Sequence, residues 1–109
     1  MEYRALCLDG AELALRLCNA LTTAERLDCH PMYWGVLEHD LRVQTRSRAK
    51  AWSAVQTLRK ELMELVEVEM PRSSPDLANL QLKREIALKL CRGKQTQDET
   101  LALLAMWSA

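Results

Sequence analysis

Cys7, Cys18 and Cys29 stand eleven residues apart, which is about three helical turns, so on one unbroken helix their thiols would share a face. A row of thiols suits metal binding or redox chemistry, both of which run through the thiolate. The pattern falls short of either. Zinc sites use tighter pairs such as Cys-x-x-Cys, and none is present; Cys29 and His30 are merely adjacent. An unbroken helix through Gly10, Thr22 and Thr23 is not expected. The four cysteines therefore read as small buried hydrophobes, with Cys29 beside His30 as the one position that suits a redox thiol.

His30 and His39 have the right side chain for acid–base work near neutral pH. Neither falls into a triad or a metal spacing, and His39 sits between Glu38 and Asp40 on an expected exposed face. Gly93-Lys94-Gln95-Thr96 has the flavour of a phosphate loop, but lacks the upstream glycine and follows a helix where that loop needs a strand. No nucleophile, acid–base pair, metal set or cofactor fingerprint emerges, so the expectation is a non-enzyme with no cofactor.

Arg42, Arg46, Arg48 and Lys50 place four cations within nine residues, a cluster with the chemistry to grip phosphates. Their spacing spreads them around a helix. The Lys83–Met106 region has a helix–turn–helix outline, but its second helix would open on Gln97-Asp98-Glu99 and carry acids towards DNA. Trp52, set among Ala49, Ala51 and Ala54, and Trp107 near the end of the sequence are candidate anchors for a protein partner, because tryptophan is enriched at interface centres.

These residues must be positioned by helices. Pro31 to Met70 reads as one long amphipathic helix, or two broken by a kink near Gln44-Thr45. Proline suits a first helical turn, and Pro71 ends the run by pushing the preceding residue out of helical geometry. Trp34, Leu37 and Leu41, then Trp52, Val55, Leu58, Leu62 and Leu65, recur in steps of three and four. Unbroken, such a helix would be roughly 58 Å long, well beyond a compact domain of this size.

The charges along it are segregated: Arg42 to Lys60 holds no acid, and Glu61, Glu64, Glu67 and Glu69 follow with no base. Acids near a helix C-terminus oppose its dipole. An antiparallel second copy crossing near Val55 would compensate, setting Arg46 against Glu64 and Arg42 near Glu67 around a seam of Trp52, Val55, Leu58 and Leu62. Two-fold interfaces are self-complementary in this way. The plainer alternative is a solvated face whose charges meet other helices of the chain or water.

Around the long stretch, Asp9 with Glu12 predicts a capped helix from about Gly10 to Leu21, with Leu13, Leu17 and Leu21 on one face and Leu15 widening the stripe. Thr22 with Glu25 predicts a further short turn. Ser74 as N-cap, Pro75 and Asp76 open a helix to about Arg92, stopped by Gly93. Leu80, Ala87 and Cys91 mark one of its sides, and Leu82, Ile86 and Leu90 another. Thr96 with Glu99 opens a last helix to Met106 or Trp107.

The 109 residues imply one domain, 1–109. Leucine and alanine dominate, phenylalanine is absent, and glycine and proline number three each. That composition predicts an all-α fold: a small bundle of four to five helices built on one long central helix. Lys plus Arg equals Asp plus Glu at 15 each, so the chain lacks the overall basic field of a dedicated nucleic-acid binder. Neutrality also leaves little charge to hold copies apart, in keeping with a homodimer. Neither a signal peptide nor a membrane span is apparent, so a cytoplasmic protein with reduced thiols is expected.

In size, neutrality and helical make-up the whole chain resembles the small bacterial quorum-sensing anti-activators. The resemblance implies a helical dimer that binds the ligand-binding domain of a LuxR-type transcription factor and blocks that factor's dimerisation. It transfers no individual residue. The expected mechanism is occlusion by a helical face such as Trp52-Val55-Leu58-Leu62. Other expected classes are a secretion chaperone or phage-encoded inhibitor, and a DNA-binding regulator using Arg42, Arg46, Arg48 and Lys50.

Overall fold

The computed structural model describes residues 2–29, 38–73, 76–92 and 95–108, and for Cys29 and residues 38–45 the backbone alone. The described residues form four α-helices: α1 (Tyr3–Cys29), α2 (Glu38–Glu64), α3 (Leu77–Arg92) and α4 (Gln97–Ser108). A π-helical turn, Leu65–Glu69, extends α2, and a 3₁₀ turn, Pro71–Ser73, follows it. Among the described residues there is no strand, so the fold is all-α.

The expected single central helix is replaced by a pair, since α1 and α2 each run 27 residues. The first helix does not start at an Asp9 cap or stop near Leu21. It opens with the Leu6 amide bonded to the Glu2 carbonyl at 3.1 Å and continues unbroken through Gly10, Thr22 and Thr23. A mid-helix glycine costs about 1 kcal/mol relative to alanine. Burial of Leu6, Ala14, Leu17 and Ala24 along one face outweighs that cost. The two threonines satisfy their hydroxyls within the helix, Thr22 on the Cys18 carbonyl at 3.0 Å and Thr23 on that of Asn19 at 3.1 Å. Thr22 is thus no cap.

The α2 backbone passes through Gln44-Thr45 without a break. Its end is a widened turn in which the Met70 amide bonds to the Leu65 carbonyl, five residues back, at 2.8 Å. This extra residue re-phases the stripe, so that Leu65, Val66 and Met70 are all buried. Pro71 then stops the run, as expected. Pro31, Trp34 and Leu37 lie outside the described residues, as do Ser74, Pro75 and Gly93; of Leu41 the side chain does.

The hairpin of α1 and α2 is antiparallel. Leu65 packs beside Gly10 at one end, and at the other the Arg48 Nε donates to the Leu27 carbonyl at 2.9 Å. This register sets residue 46 level with residue 29, so the first turns of α2 run past the end of α1. The molecule is correspondingly long, 58 × 26 × 17 Å with a radius of gyration of 16.8 Å. A compact chain of this size has a radius near 13 Å.

Asp76 caps α3 by accepting the Ala78 amide at 3.0 Å, placing the start two residues later than a Ser74 cap would. Thr96 caps α4 as expected, accepting the Glu99 amide at 3.2 Å. The core gathers Leu6, Leu17, Val55, Leu62, Val66, Met70, Ile86, Leu90 and Trp107 from all four helices and the π turn. No helix among the described residues is long and apolar enough to cross a membrane.

A candidate partner-binding cleft between α1 and α4

Three of the residues expected to form an exposed seam point inward. Val55 and Leu62 are fully buried and Leu58 nearly so, all within one chain's core. The apolar stripe of α2 is read correctly as a stripe but is covered by α1 and α3, so it offers no surface to a partner. Trp52 is half-buried, and its indole N–H donates to Asp28 Oδ2 at 3.0 Å, tying α2 to the end of α1. Trp107 is buried and its indole N–H donates to the Cys7 carbonyl at 2.8 Å. It staples α4 down and is not exposed for a partner. Arg46 and Glu64 are exposed and lie about 27 Å apart along α2, with Glu64 its last residue. The Arg42 side chain lies outside the described residues.

Cys7 and Cys18 share α1, about 16 Å apart along its axis, and with Cys91 are free and half-buried. Burial pushes the Cys18 thiol up, and also that of Cys91, where Arg59 partly opposes the rise. Both therefore hold little thiolate at neutral pH. The side chains of Cys29 and His39, and all of His30, lie outside the described residues. No group of three His, Cys, Asp or Glu able to hold a metal ion forms among the described residues.

How α4 is fixed explains where the molecule stays open. Its C-terminal end is clamped three ways. The Trp107 ring packs onto Gly10, the indole bonds to Cys7, and the buried Lys83 ammonium lies 5.1 Å from the ring centroid and donates to the Trp107 carbonyl at 2.6 Å. Among the described residues, the N-terminal half of α4 has no such anchor on α1. Between it and the second half of α1 lies a cleft of about 680 Å³. Cys18, Leu21, Leu90 and Leu104 line it, and Leu15 and Leu101, 51% and 57% exposed, also face it. Asn19, Thr22, Thr23, Glu25, Arg26, Gln95, Thr96, Gln97 and Thr100 supply its polar part, which makes up more than half of the lining residues.

Sequence reasoning missed this cleft. The available signal is Leu15, which lies off the Leu13-Leu17-Leu21 face and widens the apolar stripe of α1. Only the packing of α4 reveals that it is left half-exposed. Compared with protein-family models, curated proteins and solved structures, the chain matches none of them.

Proposed function

We propose that this chain is a non-enzymatic binding protein that occludes a surface of a partner protein, and that the α1–α4 cleft is where the partner docks. The observation that carries this reading is the pair Leu15 and Leu101, two half-exposed leucines on facing helices of a cleft that Cys18, Leu21, Leu90 and Leu104 also line. Exposed leucines that converge on one concavity mark a binding surface more strongly than scattered ones. A volume of about 680 Å³ accommodates about one and a half turns of a helix with its side chains, the helix-in-groove mode of recognition.

The finer proposal is an anti-activator of a LuxR-type quorum-sensing factor, in which a helix that the factor uses for its own dimerisation enters the cleft. The all-helical build and neutral charge support it. DNA binding has weaker support, since Arg48 turns its guanidinium onto the end of α1 while Arg46 and Lys50 face solvent.

The test is sedimentation of a LuxR-type ligand-binding domain with and without this protein. Wild type is expected to shift the domain from its dimer to a mixed complex. Leu15→Arg with Leu101→Arg is expected to abolish the shift, and Arg46→Glu with Arg48→Glu to preserve it. Retained capture by the leucine variant would overturn the cleft assignment. Failure of wild type to capture the domain would remove the LuxR-type proposal. Leu58→Arg with Leu62→Arg would place two charges in the core and so would test folding, not capture.

A further inference from the structure

Opposite its buried stripe, α2 carries a second ordered face. Arg46, Lys50, Ser53, Thr57, Glu61 and Glu64 follow one another at steps of four, three, four, four and three, and every one is exposed. This line of about 27 Å has cations at one end, small polar residues in the middle and anions at the other. Within one chain Arg46–Lys50 and Glu61–Glu64 are like-charged neighbours one turn apart, and the exposed Lys60, one turn before Glu64, offsets only part of the acidic end. Among the described residues no ion pair relieves them; the Glu67–Arg84 pair, at 3.9 Å, lies elsewhere.

We propose that this outer face of α2 pairs with the same face of a second copy, antiparallel about a two-fold axis beside Ser53 and Thr57. Arg46 then meets the partner subunit's Glu64, and Lys50 meets the partner subunit's Glu61. The two-fold axis repeats both, giving four pairs of opposite charge. Ser53, Ala54 and Thr57 are small enough for the two backbones to approach closely. Charge complementarity selects the occupant: a line that reads positive to negative is matched by itself reversed. The buried seam of Val55, Leu58 and Leu62 takes no part. Among the described residues, none of α2 lines the α1–α4 cleft, so the proposed self-association and partner capture use different surfaces.

Because the face is polar, the dimer is expected to be weak and to dissociate at high salt. Sedimentation equilibrium at low and high salt tests this with two variants, Arg46→Glu with Lys50→Glu, and Glu61→Lys with Glu64→Lys. Each alone is expected to dimerise roughly tenfold or more weakly than wild type, because its four contacts turn repulsive. Mixed together, the two are expected to form a heterodimer, since every contact between them is again attractive. Should a reversed chain fail to fold by circular dichroism, Arg46→Gln with Glu64→Gln carries the test by removing charge without reversing it. A monomeric wild type at low salt, undiminished dimerisation of either reversed chain, or no association in the mixture would each overturn the proposal. Cleft variants at Leu15 and Leu101 are expected to dimerise as wild type does, which separates this inference from the functional reading.

Discussion

Gly10 and Trp107 are a matched pair. A methyl group at Gly10 would run into the Trp107 ring, while the indole is held on its other sides by the Cys7 carbonyl and Lys83. Gly10→Ala ordinarily gains about 1 kcal/mol in helix propensity. Here it is expected to destabilise by about 1–3 kcal/mol, the cost of overpacking a ring that has nowhere to move. Trp107→Ala is expected to cost about 3–5 kcal/mol through the cavity it leaves. Urea unfolding followed by circular dichroism measures both. Tyr3 gives a residue-scale test with a pH readout. Its hydroxyl donates to Asn79 Oδ1 at 2.6 Å, and burial, with Cys7 as a second cause, pushes the phenol up to about 12. A raised folded-state value means that the neutral phenol is the favoured form. Its contribution to stability is therefore complete below the unfolded value near 10 and fades as pH rises through about 12. Absorbance titration of phenolate is expected to show a late tyrosine step that Tyr3→Phe removes.

Among the elements, α4 depends most on its ends. Only Leu103 and Trp107 of its twelve residues are buried, against five of sixteen in α3. Such a short helix is marginal on its own, so its cap carries weight. Thr96→Ala is expected to cost about 1 kcal/mol, and Thr96→Asn to be close to neutral, again by urea unfolding. Sequence patterns revealed this cap correctly, because Thr96 and its bonding amide lie three residues apart and need nothing distant. They failed for Asp9 and Thr22, which offer the same cap chemistry inside what is one helix. There the apolar face from Leu6 to Ala24 buries enough area to carry the backbone through Gly10 and both threonines. Local propensity is worth about 1 kcal/mol or less per residue, and tertiary burial of a leucine is worth more.

At the scale of the whole molecule, two surfaces remain after the core is formed. One is the cleft, open because α4 is clamped at Trp107 and stands off α1 near Arg26. The other is the charged outer line of α2. The sequence pattern had merged them into one feature, a long helix whose apolar stripe served both self-pairing and partner capture. In three dimensions α1 and α3 cover the stripe and leave the charges outside. The two proposed surfaces lie on different helices of a molecule 58 Å long, so the proposed dimerisation and the proposed partner capture do not compete. If both readings hold, high salt is expected to dissociate the dimer while leaving capture of the partner nearly unchanged, because leucine burial is insensitive to screening. Pull-down of the partner across a salt series, with sedimentation alongside, measures the two together.

Composition and period alone determined the all-α class, the apolar stripe from Val55 to Leu65, the last two helices and the Thr96 cap. Each depends on residues within one or two turns, where spacing translates directly into geometry. Tertiary structure alone decided that α1 is unbroken and that Trp52 and Trp107 join helices within the chain. It also decided that Leu58 and Leu62 lie inside and that Leu15 and Leu101 line one cleft. Those outcomes depend on which face of each helix finds a neighbour, and residues as far apart as Cys7 and Trp107 settle that together. A helical period shows that a face is apolar; only packing shows what covers it.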